Sequence, residues 1–476
     1  IDEGRIADFL VSELEGIDKT STFSANIQRL PPACWLTVDR QGLRTRTWWE
    51  PEVTRPIRFR SDDQYVEAFL EHFSRAVRCR LRSATPPASM LSGGMDSSAV
   101  VAVARNLQNQ SGGTRLHTFS AVMPDRSSCS ETHFIHRVLG SGSQTAHLVA
   151  ADRLAPFLGD LQQAVAAPDN LFDIFMTLPS ALYRAARGEG CKSLLDGVAG
   201  DNLCSFGDGY LAHLLRQGRW LTVLADGFRK GTTAREYDSA WRLLHTNARA
   251  ALATDGLRKL KQRFLPGDDG VREAMRESAI RPAFAARIGL RDRLRRLRGH
   301  HAGGLSQNPV QAHARKLLHP YLTVGLERYD RVAARCGIEP RCPYTDRRLV
   351  ELYLALPLDQ KDRRGWSKYL LRRSMTRHLP RDVCFRTDKN HLGWQFTSAL
   401  MDRCKQHLDR TITRELSEVG DYVDEAKVRQ ANHRLQGGSA SDTDRQFVWE
   451  AAALIAWKKA NLGSRVENFG QKEIGV

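Results

Sequence analysis

Between residues 62 and 82 of this chain, apolar side chains recur at Val66, Phe69, Leu70, Phe73 and Val77. Spacings of three and four line one face of a helix. Ser61 stands ahead of the run as an N-cap, with Asp62 and Asp63 in the first turn. Past residue 86 the period changes. The runs ASML, LHTFSAVM, AHLVA and KSLLDG read as short strands, and helical patterns at 97–108, 130–140 and 173–188 alternate with them. Strand and helix in alternation predict a parallel sheet covered by helices on both faces, an α/β fold. Upstream, 1–58 opens on a helical-looking acidic run and continues into alternating segments, CWLTVDR and LRTRTWWEP. With a turn at Pro31-Pro32, these predict a β-rich piece. Residues 211–318 read as helical and arginine-rich with no legible chemistry. Residues 319–460 read as mainly helical, with polar loops near 358–366 and 435–444.

Composition narrows the class. A chain of 476 residues exceeds one ordinary core and predicts two or three domains. Hydrophobic residues make up 41%, enough for globular cores, and no run of about 18 apolar residues exists to cross a membrane. The first residues lack the basic and apolar regions of a signal peptide. The missing initiating Met predicts a fragment or a processed product. Nine scattered cysteines without a CxxC pair argue against a disulfide framework or zinc knuckle and for a reducing cytoplasm. The net charge of +17 could attract nucleotide, nucleic acid or an acidic partner. Arginine-rich composition spread over a solvated surface accounts for it, so nucleic acid is not the expected partner.

Chemistry concentrates in MLSGGMDSSAVVAVA, Met90–Ala104. A strand, a run of small residues and then a helix form an anion cradle. Glycines let backbone N–H groups approach an oxyanion, serines add donors, and the helix N-terminus adds a favourable dipole. The run is not a Walker motif. Asp96 would repel phosphate unless a Mg²⁺ ion sits between them. The run therefore predicts a nucleotide site with a metal-bridged phosphate chain.

The residues SGGMDSS resemble the ATP-pyrophosphatase loop of the asparagine synthetase family. Four further blocks resemble that family in order: SLLDGVAGDNLCSFGDGY (193–210), GIEPRCPYTDRRLVELYLALP (337–357), GWSKYLLRRSMTRHLP (365–380) and RTDKNHLG (386–393). Residues 20–51 resemble the end of that family's amino-terminal Ntn glutaminase domain. The resemblance implies an adenine nucleotide α-hydrolase-like ATP-pyrophosphatase domain over 59–476 with a variable helical insertion at 211–315, preceded by a glutaminase remnant over 1–58. It implies an ATP-dependent amide ligase that adenylates an Asp or Glu side-chain carboxylate, joins it to an amine and releases AMP and pyrophosphate. Leu91, Ser92, Gly93, Gly94, Asp96, Ser97, Ser98, Gly197 and Lys368 would hold ATP and pyrophosphate. Asp96 and Asp201 would hold Mg²⁺, and Lys389 would meet the charge that develops in the reaction. Glu339, Arg341 and Asp346 would form a buried ion-pair network. A small-molecule or peptide carboxylate is the expected substrate, with a precursor peptide and a second copy of the chain as candidate partners.

Two positions depart from the family pattern. Val198 stands where asparagine synthetases usually carry a glutamate, and Asn202 replaces the following one. Valine can neither bind a polar substrate nor move a proton, so the acceptor pocket is expected to take another amine or carboxylate. Lasso-peptide macrolactam cyclases, which the blocks at 326–351 and 367–373 also resemble, are one such relative; there Glu327 would serve as general base. The chain starts at Ile1 and carries no amino-terminal cysteine nucleophile, so it is expected to lack glutaminase activity by itself.

Overall fold

The computed structural model describes residues 1–51, 56–124, 129–152, 165, 167, 171–205, 209–233, 268–301, 309–386 and 392–470. The run at 62–82 forms the helix Asp62–Leu81, and the Ser61 hydroxyl accepts the Gln64 N–H as expected of the N-cap. Phe69, Phe73 and Val77 are fully buried. The Phe69 ring meets Tyr353 edge-on at 5.8 Å and lies along Phe73 at 5.3 Å.

The four predicted strands are present as Ala88–Met90 (β3), His117–Val122 (β4), Thr145–Ala150 (β5) and Ser193–Leu195 (β6). A fifth, Glu339–Arg341 (β7), completes an all-parallel sheet in the order β5-β4-β3-β6-β7. Sequence periodicity reads 319–460 as helical and misses β7. A three-residue strand centred on Pro340 shows no alternation, and proline is tolerated there because β7 is an edge strand. A second miss is the short pairing of Asp362–Arg363 with Trp366–Ser367 inside the predicted polar loop.

Two hydrophobic clusters occupy the two faces. One gathers Leu91, Val100, Phe69, Tyr353 and Leu370. The other gathers Ala88, Phe119, Leu194, Phe396 and Leu454. The chain winds outward from β3 to β4 and β5, then returns past β3 to β6 and β7. The strand order therefore reverses between β3 and β6, and in doubly wound sheets ligands bind in the crevice at the carboxyl ends of such strands.

The amino-terminal region differs from a purely β-rich piece. Glu3–Leu10 is an α-helix, and Ile6, Leu10 and Leu14 are buried in the same cluster as Phe284, Leu294 and Trp457. The β character is confined to the antiparallel hairpin Cys34–Asp39 (β1) and Gly42–Thr47 (β2), which is exposed along almost its whole length. All nine cysteines are free. Among the described residues no helix is long and apolar enough to cross a membrane.

These burials make a direct contrast in stability. Phe69→Ala should cost about 3–5 kcal/mol, because the cavity under Tyr353 and Phe73 cannot collapse. Val38→Thr on the exposed hairpin should change stability by less than about 0.5 kcal/mol. Urea denaturation of both variants checks this, and equal losses would contradict the placement of the core.

Candidate active site at the strand-order reversal

The loop after β3 enters the helix Met95–Gln110, with Gly94 as N-cap. Its serines turn on one another. Ser97 Oγ accepts the Ser92 N–H at 3.1 Å and lies 2.9 Å from Ser92 Oγ, while Ser92 Oγ accepts the Gly94 N–H at 3.3 Å. Ser98 Oγ is buried and has no hydrogen-bond partner. Leu91 is buried, and its N–H donates to Phe119 O at 2.9 Å, fixing the loop to β4.

The loop after β6 lies directly against the first one. A Cβ on Gly197 would stand 2.6 Å from Ser97 N, and one on Gly200 would stand 2.5 Å from Asp96 Cγ. Only glycine permits that approach. Asp196 opens this loop. Its Oδ1 accepts the Val198 N–H at 2.9 Å, and burial pushes its carboxyl up to about 6. Ala199 then takes a left-handed conformation (φ 70°) and starts the helix Gly200–Cys204, which carries Asp201 in its first turn.

Asp96 and Asp201 converge on the Lys368 ammonium. Lys368 Nζ bonds Asp96 Oδ2 and lies 2.5 Å from Asp201 Oδ1. Lys368 also has positive φ (56°), at the N-cap of the helix Tyr369–Met375. A non-glycine residue in this region costs on the order of 1–3 kcal/mol and persists only where its surroundings require it. Burial alone would lower the Lys368 pKa, but the two carboxylates outweigh it and hold the ammonium charged, raised above the usual lysine value. Burial raises Asp96, against the pull of Lys368 and with the push of Asp201.

The sequence pattern starts the helix at residue 97 and leaves Asp96 in the loop before it. It lies instead in the first helical turn with its side chain only 14% exposed, whereas Asp201 is 84% exposed. Asp96 Oδ1 is buried without a partner. An unsatisfied carboxylate oxygen beside a second carboxylate is the oxygen donor set that Mg²⁺ takes. The described residues thus fit such an ion, with Lys368 supplying the positive charge between them.

Several residues hold this arrangement. Tyr344 of the PYTD block donates its hydroxyl to the Asp96 backbone O at 3.1 Å. Arg386, first residue of RTDK, donates to Gly93 O at 2.9 Å and lies over the Phe134 ring. Lys389 lies outside the described residues. Asp346 is an ion-pair centre: Arg80 and Arg348 reach it at 2.9 and 2.8 Å and hold its carboxyl far below the usual range. The expected buried network stops there. Glu339 pairs with Arg341 at 2.6 Å, but its side chain is 63% exposed, so the two parts meet only where Arg341 donates to the Arg80 and Arg82 carbonyls.

Glu327 is placed differently from the loop residues. Its carboxylate is held by Arg29 and by Arg331 (2.6 Å) in a small cavity lined also by Arg5, Glu15, Asp173 and Arg328. These contacts join the helix Pro320–Arg335 to the amino-terminal segment.

The segment without legible chemistry also reaches the site. From the helix Pro309–Leu317, His313 Nε2 donates to Asn202 O at 3.1 Å and Lys316 Nζ donates to the Asp201 and Ser205 carbonyls at 3.2 Å. These contacts cap the short helix that bears Asp201. Behind them Lys361, fully buried, donates to His313 Nδ1 at 3.1 Å. Burial pulls Lys361 down to about 7 and His313 down to about 3. An ordinary-looking His and Lys on an amphipathic helix give no sequence signal for this role.

A lysine depressed when folded is protonated more readily in the unfolded chain. Its penalty is complete below about pH 7 and fades towards the ordinary lysine range near 10.5. Lys361→Met should therefore gain most over the parent protein at or below pH 7, with the difference shrinking as pH rises to 10. Chemical denaturation across that range checks the slope, and a pH-independent difference would contradict it.

Comparison with known proteins agrees with this geometry. Residues 68–459 match the family model described as asparagine synthase. The chain is 24% identical to amidase chry2 of Gibberella zeae over 79% of its own length and 60% of that protein. It is 23% identical to asparagine synthetase [glutamine-hydrolyzing] 3 of Bacillus subtilis over 79% of its length and 56% of the relative. Asparagine synthetase [glutamine-hydrolyzing] 1 of the same organism is 21% identical over 94% of this chain and 68% of the relative. The chain thus spans 56–60% of the length of the first two of these relatives. A family match across most of the chain, including both paired loops, means that this protein belongs to the asparagine synthase family.

Proposed function

We propose that the chain is an ATP-dependent amide ligase that activates a side-chain carboxylate as its adenylate. The observation that carries this reading is the convergence of Asp96 and Asp201 from the two loops at the strand-order reversal, with Asp96 Oδ1 buried and unpartnered. A carboxylate oxygen of the substrate forms a bond to the α-phosphorus of ATP, and the bond from that phosphorus to the bridging oxygen breaks, releasing pyrophosphate. The amine then bonds to the acyl carbon, loses a proton, and AMP leaves with the electrons of the acyl–oxygen bond.

The chain's own residues have separate tasks in this scheme. Backbone N–H groups around Gly93, Gly94 and the start of the helix Met95–Gln110 orient the pyrophosphate oxyanions. Lys368 keeps a fixed positive charge beside the leaving group, where preorganised electrostatics contribute most. Mg²⁺ held by Asp96 and Asp201 would neutralise phosphate charge. Lys389 is assigned to the charge developing at the acyl centre, on its position in RTDK.

Val198 bears on the acceptor. It sits half-buried between Asp196 and Ala199, with its N–H committed to Asp196. An apolar side chain at this position favours a larger or less polar acceptor over free ammonia with aspartate. The second reading is therefore a peptide macrolactam cyclase, joining an α-amine to an Asp or Glu side chain of a precursor peptide. The word amidase in the name of the Gibberella zeae relative raises amide hydrolysis as a competitor; strict dependence on ATP separates synthesis from it. We also read the hairpin β1–β2 as the last part of a glutaminase-type domain, supported by the exposure of Trp35, Val38 and Leu43.

Pyrophosphate release from ATP should require a carboxylate substrate. Asp96→Asn keeps the shape of a half-buried side chain while removing its charge. It should lower release about 10²–10³-fold with the folded circular dichroism spectrum unchanged. Near-normal turnover at saturating Mg²⁺ would sink the assignment.

Substrate class is tested at Val198. Asparagine formation from aspartate and ammonia should be slow or absent, and Val198→Glu should raise it. A missing charged partner at a desolvated site costs about 2–4 kcal/mol, roughly thirty- to thousand-fold in rate. A parent rate of about 1–10 s⁻¹ with aspartate and ammonia would return the chain to plain asparagine synthesis, whereas turnover only with a precursor peptide would support the cyclase.

A further inference from the structure

A second cluster of ligating side chains lies at the opposite edge of the sheet. β4 begins with His117, and β5 carries His147 at its third position. The parallel register sets His147 beside Phe119 and His117 beside Thr145, so the two histidines are diagonal neighbours on one face. The His147 ring lies flat on Phe119, with centroids 4.6 Å apart and planes 9° from parallel. The helix Thr177–Gly188 packs under this face and ends at Glu189, which reaches His147 from the other side. Three separate elements therefore deliver one potential ligand each.

The distances have a specific chemical meaning. His147 Nε2 is 3.0 Å from His117 Nδ1, and His147 Nδ1 is 3.5 Å from Glu189 Oε1. Ligating atoms of all three residues lie within 4.8 Å of one another. A first-row ion holds imidazole nitrogens at about 2.0–2.1 Å. Neighbouring nitrogens on such an ion are then about 2.8–3.4 Å apart, from square to tetrahedral geometry, and the observed separation falls inside that range. A carboxylate on the far nitrogen of a ligating histidine sets its tautomer and leaves the lone pair facing the metal. Glu189 stands in that relation to His147.

We propose that His117, His147 and Glu189 form a binding site for a divalent transition-metal ion of the Zn²⁺, Ni²⁺ or Cu²⁺ class. Imidazole donors select these ions over Mg²⁺, which prefers an all-oxygen set. His117 Nδ1 and His147 Nε2 are the ligands, Glu189 orients His147, and water completes the sphere. The ion ties the starts of β4 and β5 to the turn that follows the helix Thr177–Gly188. The site is separate from Asp96 and Asp201: His117 pairs with Ala88 at the start of β3, and the nucleotide loop leaves the other end of that strand after Met90.

The test uses the full chain stripped with chelator, then titrated calorimetrically with Zn²⁺ and, separately, Ni²⁺. The parent protein should take up one equivalent and gain thermal stability, and Asp96→Asn should do the same. His117→Ala and His147→Ala should lose that binding while matching the parent's melting temperature in chelator. Glu189→Gln, a mild change at an exposed residue, should weaken affinity about 10–100-fold and covers the case in which a histidine variant fails to fold. Absence of binding by the parent protein overturns the proposal. So does unchanged affinity in Glu189→Gln together with either folded histidine variant, since the ion would then sit on other side chains.

Discussion

The tightest constraint in this protein is the closeness of two loops. Where the strand order reverses, the turns after β3 and β6 leave adjacent strands and would normally diverge. Here the Gly197 Cα lies over the Ser97 amide and Gly200 over the Asp96 side chain, so that a methyl group at either position would overlap atoms of the first loop. That approach forces two carboxylates towards one point. Like charges at such a distance cannot both persist without a cation, and Lys368 supplies one.

Much of the surrounding structure follows from holding those three groups. Ala199 and Lys368 are both kept in left-handed backbone conformations, one leading to Asp201 and the other carrying the ammonium itself. Tyr344 fixes the Asp96 backbone, and Arg386 fixes the turn at Gly93. His313 and Lys316 fix the far end of the Asp201 helix. Each tether comes from a different region of sequence, so the pair of aspartates is braced from several directions. A site that concentrates charge needs this bracing, because the gain from preorganised groups is lost if they relax before the reaction.

The position between Gly197 and Ala199 shows the opposite economy. Val198 makes its ordered contact through the backbone alone, to Asp196, leaving an apolar side chain where the family pattern expects a carboxylate. Asp196 orients the backbone and Asp201 bears the charge, while Gly197 and Gly200 between them are fixed by the approach to the first loop and Ala199 by its left-handed turn.

What the sequence by itself determined is the local order of elements and the inventory of chemistry. The Phe69–Phe73–Val77 stripe, the Ser61 cap, four of the five main strands and the SGGMDSS and DGVAGD runs all depend on residues close together in the chain, where periodicity and turn chemistry act directly. Tertiary structure alone decided the rest. β7 forms because β6 offers an edge to pair with, although its own Pro340 gives no strand signal. Asp96 looks like a loop carboxylate until Lys368, 272 residues later, closes over it. Glu327, a candidate general base by resemblance, shows its pairing with Arg29 only once the fold brings the amino-terminal segment to it, and His313 reads as an unremarkable helix residue until it caps Asn202. The physical reason is common to these cases: burial and charge pairing depend on groups brought together through space, and a local pattern carries no record of its distant partner.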